Sequence, residues 1–447
     1  MKSSVCVIGA GLAGSEAAFQ LAMRGYQVQL YEMRPEISNG VHTGGGLAEL
    51  VCSNSFRSDD PTHPVGLLKR EMEALESLII KAARATTVPA GGALAVDRKL
   101  FSEWVTNAIE EHPRITLIRQ EVRQIPEEPA IIATGPLCAD HLAGLLFDRL
   151  GDSSLYFYDA IAPVVDFESL DMDVLFFQSR YEKGDGKDYL NIPLSKEEYL
   201  RFHHELIHAE MVEPKKHEKM KYFEGCLPIE VMAERGIDTL RFGPMKPVGI
   251  VDPKTELTPY AVVQLRQDDM ARSLWNIVGF QTKMKWGEQK RILRSLPGLK
   301  NARFTRYGMI HRNTYLNSPK HLETVFRVKG TESLFVAGQI SGVEGYLESA
   351  ASGLMAAFHL HQKLSHKELL PFPAESALGS LAHYISFQGH RNFQPTNVNL
   401  GIFPPSERKI PKKLRRQYHS NRAWKRLAEY LVQVGEPLKK GFPWPVE

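Results

Sequence analysis

The chain has 447 residues, 43% hydrophobic and 24% charged, with a net charge of +3. That composition suits a soluble globular protein of two or three domains. It excludes a polycationic chain and a disordered one, and no apolar run is long enough to cross a membrane. The four cysteines, Cys6, Cys52, Cys138 and Cys226, form no CxxC pair. Neither a zinc site nor a disulfide framework is expected from them, so no metal ligands are assigned and a reducing, cytoplasmic setting is expected.

The chain opens with "VCVI" (5–8), which reads as a short buried strand. "GAGLAG" (9–14) follows, then the helical pattern "SEAAFQLAMRGY" and a second strand, "QVQLYE", ending at Glu32. This is a βαβ unit carrying GxGxxG at Gly9, Gly11 and Gly14. One glycine permits the tight turn, one lets the backbone approach a pyrophosphate, and one allows close helix packing. Ala10, Leu12 and Ala13 complete the loop and helix start, whose free N–H groups suit phosphate. Glu32 is placed to accept from a ribose hydroxyl, which favours FAD or NAD over NADP.

"ELVCSNSFRS" (49–58) puts Cys52 in a polar loop after a glycine triplet. "PAIIATGPLCADHL" (129–142) reads as strand, turn and helix. Residues 196–222 are charged and helical up to Pro214, and 240–280 hold strand-like runs: "LRFGPMKPVGIV", "YAVVQLRQ" and "LWNIVGFQ". Late in the chain, "SLFVAGQISGVEGYLESAASGLMAAFHL" (333–360) reads as strand, Gly338-Gln339 turn, glycine-rich loop and small-residue helix. This layout resembles the second cofactor contact of FAD-binding flavoproteins.

The expected fold class is therefore α/β, a Rossmann-type FAD-binding domain, discontinuous in sequence, with an inserted α+β domain. The expected limits are 1–183 and 296–405 for the FAD-binding domain and 184–295 for the insertion. A basic C-terminal segment, 406–447, holds nine lysines and arginines between Arg408 and Arg426, with Tyr418 and Trp424 interleaved. Such a segment suits phosphate backbones and unpaired bases.

Together the motifs resemble the folate- and FAD-dependent tRNA (uracil-5-)-methyltransferases over nearly the whole chain. The specific pieces are "VIGAGLAGSEAA", "CSNSFRS", "YFEGCLPIEVMAERG", "LRFGPMKPVG", "GMIHRNTYLNSP" and "AGQISGVEGYLESAASG". The resemblance implies methylation of uridine C5, at position 54 in the T-loop of tRNA. Methylenetetrahydrofolate would supply the carbon, and FAD, reloaded by NADH or NADPH, the electrons. It implies tRNA and folate as partners, no membrane, and no obligate protein partner.

The chemistry needs a reactive cysteine, because uracil C5 becomes nucleophilic once a thiolate adds at C6. Such a thiol is expected to have a depressed pKa. Cys226 and Cys52 both fit, and the resemblance favours Cys226 as nucleophile with Cys52 as a second active-site thiol near the flavin. The roles are interchangeable on sequence. Cys6 and Cys138 are expected to be structural. The resemblance also puts His311 against the folate ring, and Glu344 and Tyr346 on the loop facing the flavin for proton transfer. Lys246 and Arg57 are candidates to stabilise a thiolate, a folate glutamate tail or the uracil enolate. A related FAD-dependent tRNA wobble-uridine modification enzyme shares the glycine-rich start and "AGQI". It carries a long helical C-terminal domain, for which few residues remain here. A small-molecule flavin oxidoreductase would not need the basic tail, and a non-catalytic RNA-binding flavoprotein would transfer no carbon.

Overall fold

The computed structural model describes residues 4–152, 155–213, 221–223, 227–406 and 409–436. Five parallel strands form the first sheet, in the order Leu334–Val336, Ala130–Ile132, Ser4–Ile8, Gln27–Glu32, Ile115–Arg119. Val5, Val7 and Ile8 are all buried, as expected of a parallel strand covered on both faces. The chain leaves Ser4–Ile8 toward Gln27–Glu32 on one side and later returns through Ala130–Ile132 on the other. The carboxyl end of the first strand is thus a topological switch point, where such sheets open a crevice for ligands. The helix Leu12–Met23 packs against Tyr346–Leu364, the small-residue helix from the far end of the chain. The cofactor half is therefore discontinuous, as expected.

The second sheet has six antiparallel strands: Phe176–Phe177, Tyr189–Leu194, Ala261–Gln267, Leu274–Ile277, Val164–Asp166 and Phe304–Arg306. Side chains alternate between its faces. Ala261, Val263 and Leu265 join a core with Tyr199, Phe202 and Leu206 of helix Lys196–Ile207 and with Ile292 and Leu293 of helix Trp286–Leu293. Arg266 takes the alternate register and reaches Asn54 and Ser53 of the other half.

This sheet runs from Val164 to Arg306, outside the limits 184 and 295 drawn from sequence. Strands too short to show a period account for the difference. "LRFGPMKPVGIV" is no strand either. It folds as a short helix, Thr239–Phe242, followed by turns around Pro244 and Pro247, which have no N–H for a ladder. An antiparallel ribbon, Leu155–Ala160 with Ile310–Tyr315, carries the chain into and out of the insertion.

The C-terminal helix Arg415–Val434 is amphipathic, with Ala423, Trp424, Leu427 and Leu431 buried in the main core. Trp424 is 4% exposed and so cannot stack on RNA, which corrects the reading of the tail. Among the described residues no helix is long and apolar enough to cross a membrane.

Candidate active site

A cavity of ≈ 490 Å³ runs from the switch point to the inserted sheet. At its nucleotide end the three glycines separate by role. Gly9 has φ +92, and a Cβ there would lie 2.6 Å from the Ala133 carbonyl oxygen. A Cβ on Gly14 would meet the Gly9 oxygen at 1.7 Å, so Gly14 sits beneath the loop as a packing residue. A Cβ on Gly11 would meet nothing within 4 Å, and Gly11, Leu12 and Ala13 line the cavity. Gly11 caps helix Leu12–Met23 without a side-chain hydrogen bond, leaving its first N–H groups for an anion. The open cradle fits a pyrophosphate.

Glu32 ends the second strand and is buried. One carboxylate oxygen accepts from the Ala10 N–H at 3.0 Å, and the other from the Arg34 N–H and Nε, both at 3.0 Å. Arg34 also reaches Glu49 at 2.9 Å and the Gly46 carbonyl at 3.2 Å, tying down the glycine triplet. Glu32 lines the cavity, and its four lone-pair sites exceed these three bonds. Ala10 acts through its N–H and is not part of the wall.

The opposite end gathers chemistry. The Tyr346 hydroxyl oxygen accepts the N–H groups of Cys52 and Ser53 at 2.6 and 3.1 Å. The Cys52 thiol donates to the Ala160 carbonyl at 3.4 Å. Enclosure by protein pushes the thiol up to about 12, with the Asp159 charge adding to the rise and Arg98 and Arg306 opposing it. This contradicts the expectation of a depressed pKa for this cysteine, since loss of solvation outweighs the two guanidinium groups. Glu344 is buried, and burial followed by repulsion from Asp159 raises its carboxyl well above the usual range. Gln339 donates to it through Nε2. Arg57 has φ +64 and holds the buried Glu348 carboxylate. Cys52, Arg57, Asp159, His311, Gly338, Gln339, Glu344 and Tyr346 all line the cavity.

Three buried wall residues keep unpaired atoms: His311 Nε2, Asn313 Nδ2 and Asn276 Nδ2 have no hydrogen-bond partner among the described residues. His311 Nδ1 is 2.9 Å from Asn313 Oδ1, which holds the ring with Nε2 toward the cavity. Buried polar atoms of this kind are open to a water or a ligand in the cavity.

Lys246 is exposed and outside the cavity, so its candidacy ends. Cys226 lies outside the described residues. Cys6 is in the first strand, with burial raising its thiol to about 11, whereas Cys138 lines the cavity beside the Thr134–Pro136 turn. Sequence reasoning missed Arg34, Glu49, Asp159, Asn276 and Arg266. Arg34 had one visible signal, a cation two residues after the strand-ending acid. Among the described residues no cluster of three or more His, Cys, Asp or Glu is set to hold a metal.

Fold and cavity define a Rossmann-type dinucleotide-binding protein of the FAD class, built from two chain segments and an insertion. A family model described as "Glucose inhibited division protein A" matches residues 4–368. The methylenetetrahydrofolate–tRNA-(uracil-5-)-methyltransferase TrmFO of Listeria monocytogenes serotype 4b is 53% identical over 98% of this chain and 100% of its own. The protein of that name from Bacillus subtilis is 54% identical over 94% of this chain and 97% of its own. GidA of Aquifex aeolicus, in its form I crystal, superposes with a TM-score of 0.71 at 17% identity. It covers 98% of this chain and 77% of its own, and at that identity it speaks for the fold alone. The chain belongs to the methylenetetrahydrofolate–tRNA-(uracil-5-)-methyltransferase family, within the wider glucose-inhibited division protein A group.

Proposed function

We propose that the protein methylates uridine C5 in tRNA, at position 54 of the T-loop, with methylenetetrahydrofolate as carbon donor. The observation that carries this reading is the Cys52 thiol in the wall of the same cavity as the glycine cradle. Gly9, Gly11, Leu12, Ala13, Glu32, Gly338 and Gln339 would hold FAD. When bound, FAD supplies the two electrons that take the added carbon from the methylene to the methyl level, and NADH or NADPH restores them.

The chain's own groups handle the uracil and the protons. Cys226 is assigned the attack on C6, which makes C5 nucleophilic toward the one-carbon unit. C5 then loses its proton as the bond from the added carbon to the folate nitrogen breaks and tetrahydrofolate leaves. That carbon takes up a hydride's two electrons to reach the methyl level as the thiolate leaves C6 and restores the double bond. Cys52 is assigned proton transfer beside the cofactor, because its surroundings hold it as a thiol. Glu344 and Tyr346 are assigned the same traffic. Burial raises the Glu344 carboxyl above its usual range, the direction that suits a group that gives and takes a proton. Tyr346 also fixes the Cys52 loop by accepting its two N–H groups. Arg57, anchored by Glu348, is assigned the stabilisation of negative charge on the substrate, and His311 the contact with the folate ring; both line the cavity. The setting is proposed to be cytoplasmic, consistent with free Cys6, Cys52 and Cys138.

The test incubates purified protein with unmodified tRNA, NADPH and methylenetetrahydrofolate labelled in its one-carbon unit, then digests the RNA. Label in 5-methyluridine is expected. No label, with flavin still reduced by NADPH, would favour a small-molecule oxidoreductase.

A further inference from the structure

Outside the cavity, the inserted domain carries a ladder of three rings. Trp286 stacks on Tyr307 with centroids 5.8 Å apart and planes 19° apart, and Tyr307 on Phe304 at 5.3 Å and 20°. The ladder ends at the surface: Trp286 is 60% exposed. A ring braced from behind and open in front offers a flat face for another flat group. Every nucleic-acid base has such a face, and base–aromatic stacking is tolerant of sequence.

Cations stand beside aromatic rings on the same part of the molecule. Lys283 Nζ lies 5.8 Å from the Tyr222 ring centre. Lys221 Nζ lies 5.9 Å, and the Arg312 guanidinium 4.4 Å, from that of Tyr156. Two of these segments also enter the cavity wall, through Phe223 and Gln281, each two residues from its lysine. Lys283 precedes Trp286 by three residues, so at most about 10 Å of backbone separates cation from stacking ring. Lys285 and Arg291 are paired with Glu210 and Glu288 and are not called upon. Glu230, buried, accepts from Thr282 and the Lys283 N–H and also feels the Lys283 ammonium, which hydrogen-bonds Tyr222.

We infer that this face docks the RNA. Trp286 stacks an unpaired base near the target, and Lys221, Lys283 and Arg312 hold phosphates beside the cavity. The inference rests on the reading above that tRNA is the substrate. It adds a stacking surface on the inserted domain to the exposed basic residues of the C-terminal segment, whose Trp424 is in the core.

The experiment measures anisotropy of labelled tRNA transcript with the flavin-loaded full-length protein over a salt series, with flavin content as the folding control. Trp286→Ala should weaken binding about tenfold or more, and Trp286→Phe should restore most of it. Lys221→Ala with Lys283→Ala should make the slope of log affinity against log salt shallower by about 1.5, as two phosphate contacts are lost. Wild-type affinity and slope in these variants would overturn the inference. If Trp286→Ala loses flavin, the lysine pair decides. If the wild-type protein binds tRNA no better than heparin of similar charge, the substrate reading itself fails.

Discussion

Cys52 shows how far a single residue can be read. Its polar neighbours marked it as unlike a core cysteine, and it does line the cavity. Its protonation was not legible, because that depends on groups distant in sequence. Asp159 comes from the bridging ribbon, Arg98 from a helix start and Arg306 from the inserted sheet. With the thiol pushed up to about 12, its thiolate is scarce at neutral pH and grows as pH rises. Alkylation of Cys52 by iodoacetamide, followed by peptide mass mapping without folate or RNA, should therefore accelerate through pH 10 without levelling. A plateau below pH 9 would contradict this, since a free thiol titrates near about 8.5. Asn276 and Arg266 were missed for a similar reason. A polar residue in a strand reveals its face only once the pairing is known.

At the scale of elements, the βαβ start was legible because strand, glycine loop, helix and terminal acid are contiguous. The late helix was legible through its small residues, and the structure gives them a purpose. A Cβ on Gly353 would fall 2.1 Å from the Ala13 carbonyl oxygen, so the helices Leu12–Met23 and Tyr346–Leu364 touch backbone to backbone there. Gly353→Ala should push the first helix off and disturb the cradle. The expected result is loss of most bound flavin, read from visible absorbance against protein, with destabilisation of about 1–3 kcal/mol. Full flavin content at the wild-type melting temperature would show that the contact yields. The C-terminal helix was legible only as charge. Its apolar residues Ala423, Trp424, Leu427 and Leu431 recur at helical spacing, and this buried stripe outweighs the basic run in deciding where Trp424 goes.

Across the whole molecule, the class of fold and the discontinuity of the cofactor half were readable, but the borders of the insertion were not. The inserted sheet takes edge strands as short as Phe176–Phe177 from outside the segment that looked distinct. The two halves are also joined where the chemistry is expected. Arg266 donates to Asn54 and Ser53, Asn54 donates to the Gln267 carbonyl, and Arg98 pairs with Asp268 at 3.0 Å. The loop bearing Cys52 is thus held from both sides, and the cavity takes Asn276, Gln281 and Arg266 from one half and the glycine cradle from the other. The central claim is that this shared cavity replaces the C5 hydrogen of a tRNA uridine with carbon from folate. The most direct measurement is tritium release from tRNA carrying [5-³H]uridine. The account predicts release that requires both methylenetetrahydrofolate and NAD(P)H and is lost in Cys52→Ala. No release, or equal release with S-adenosylmethionine in place of folate, would contradict it.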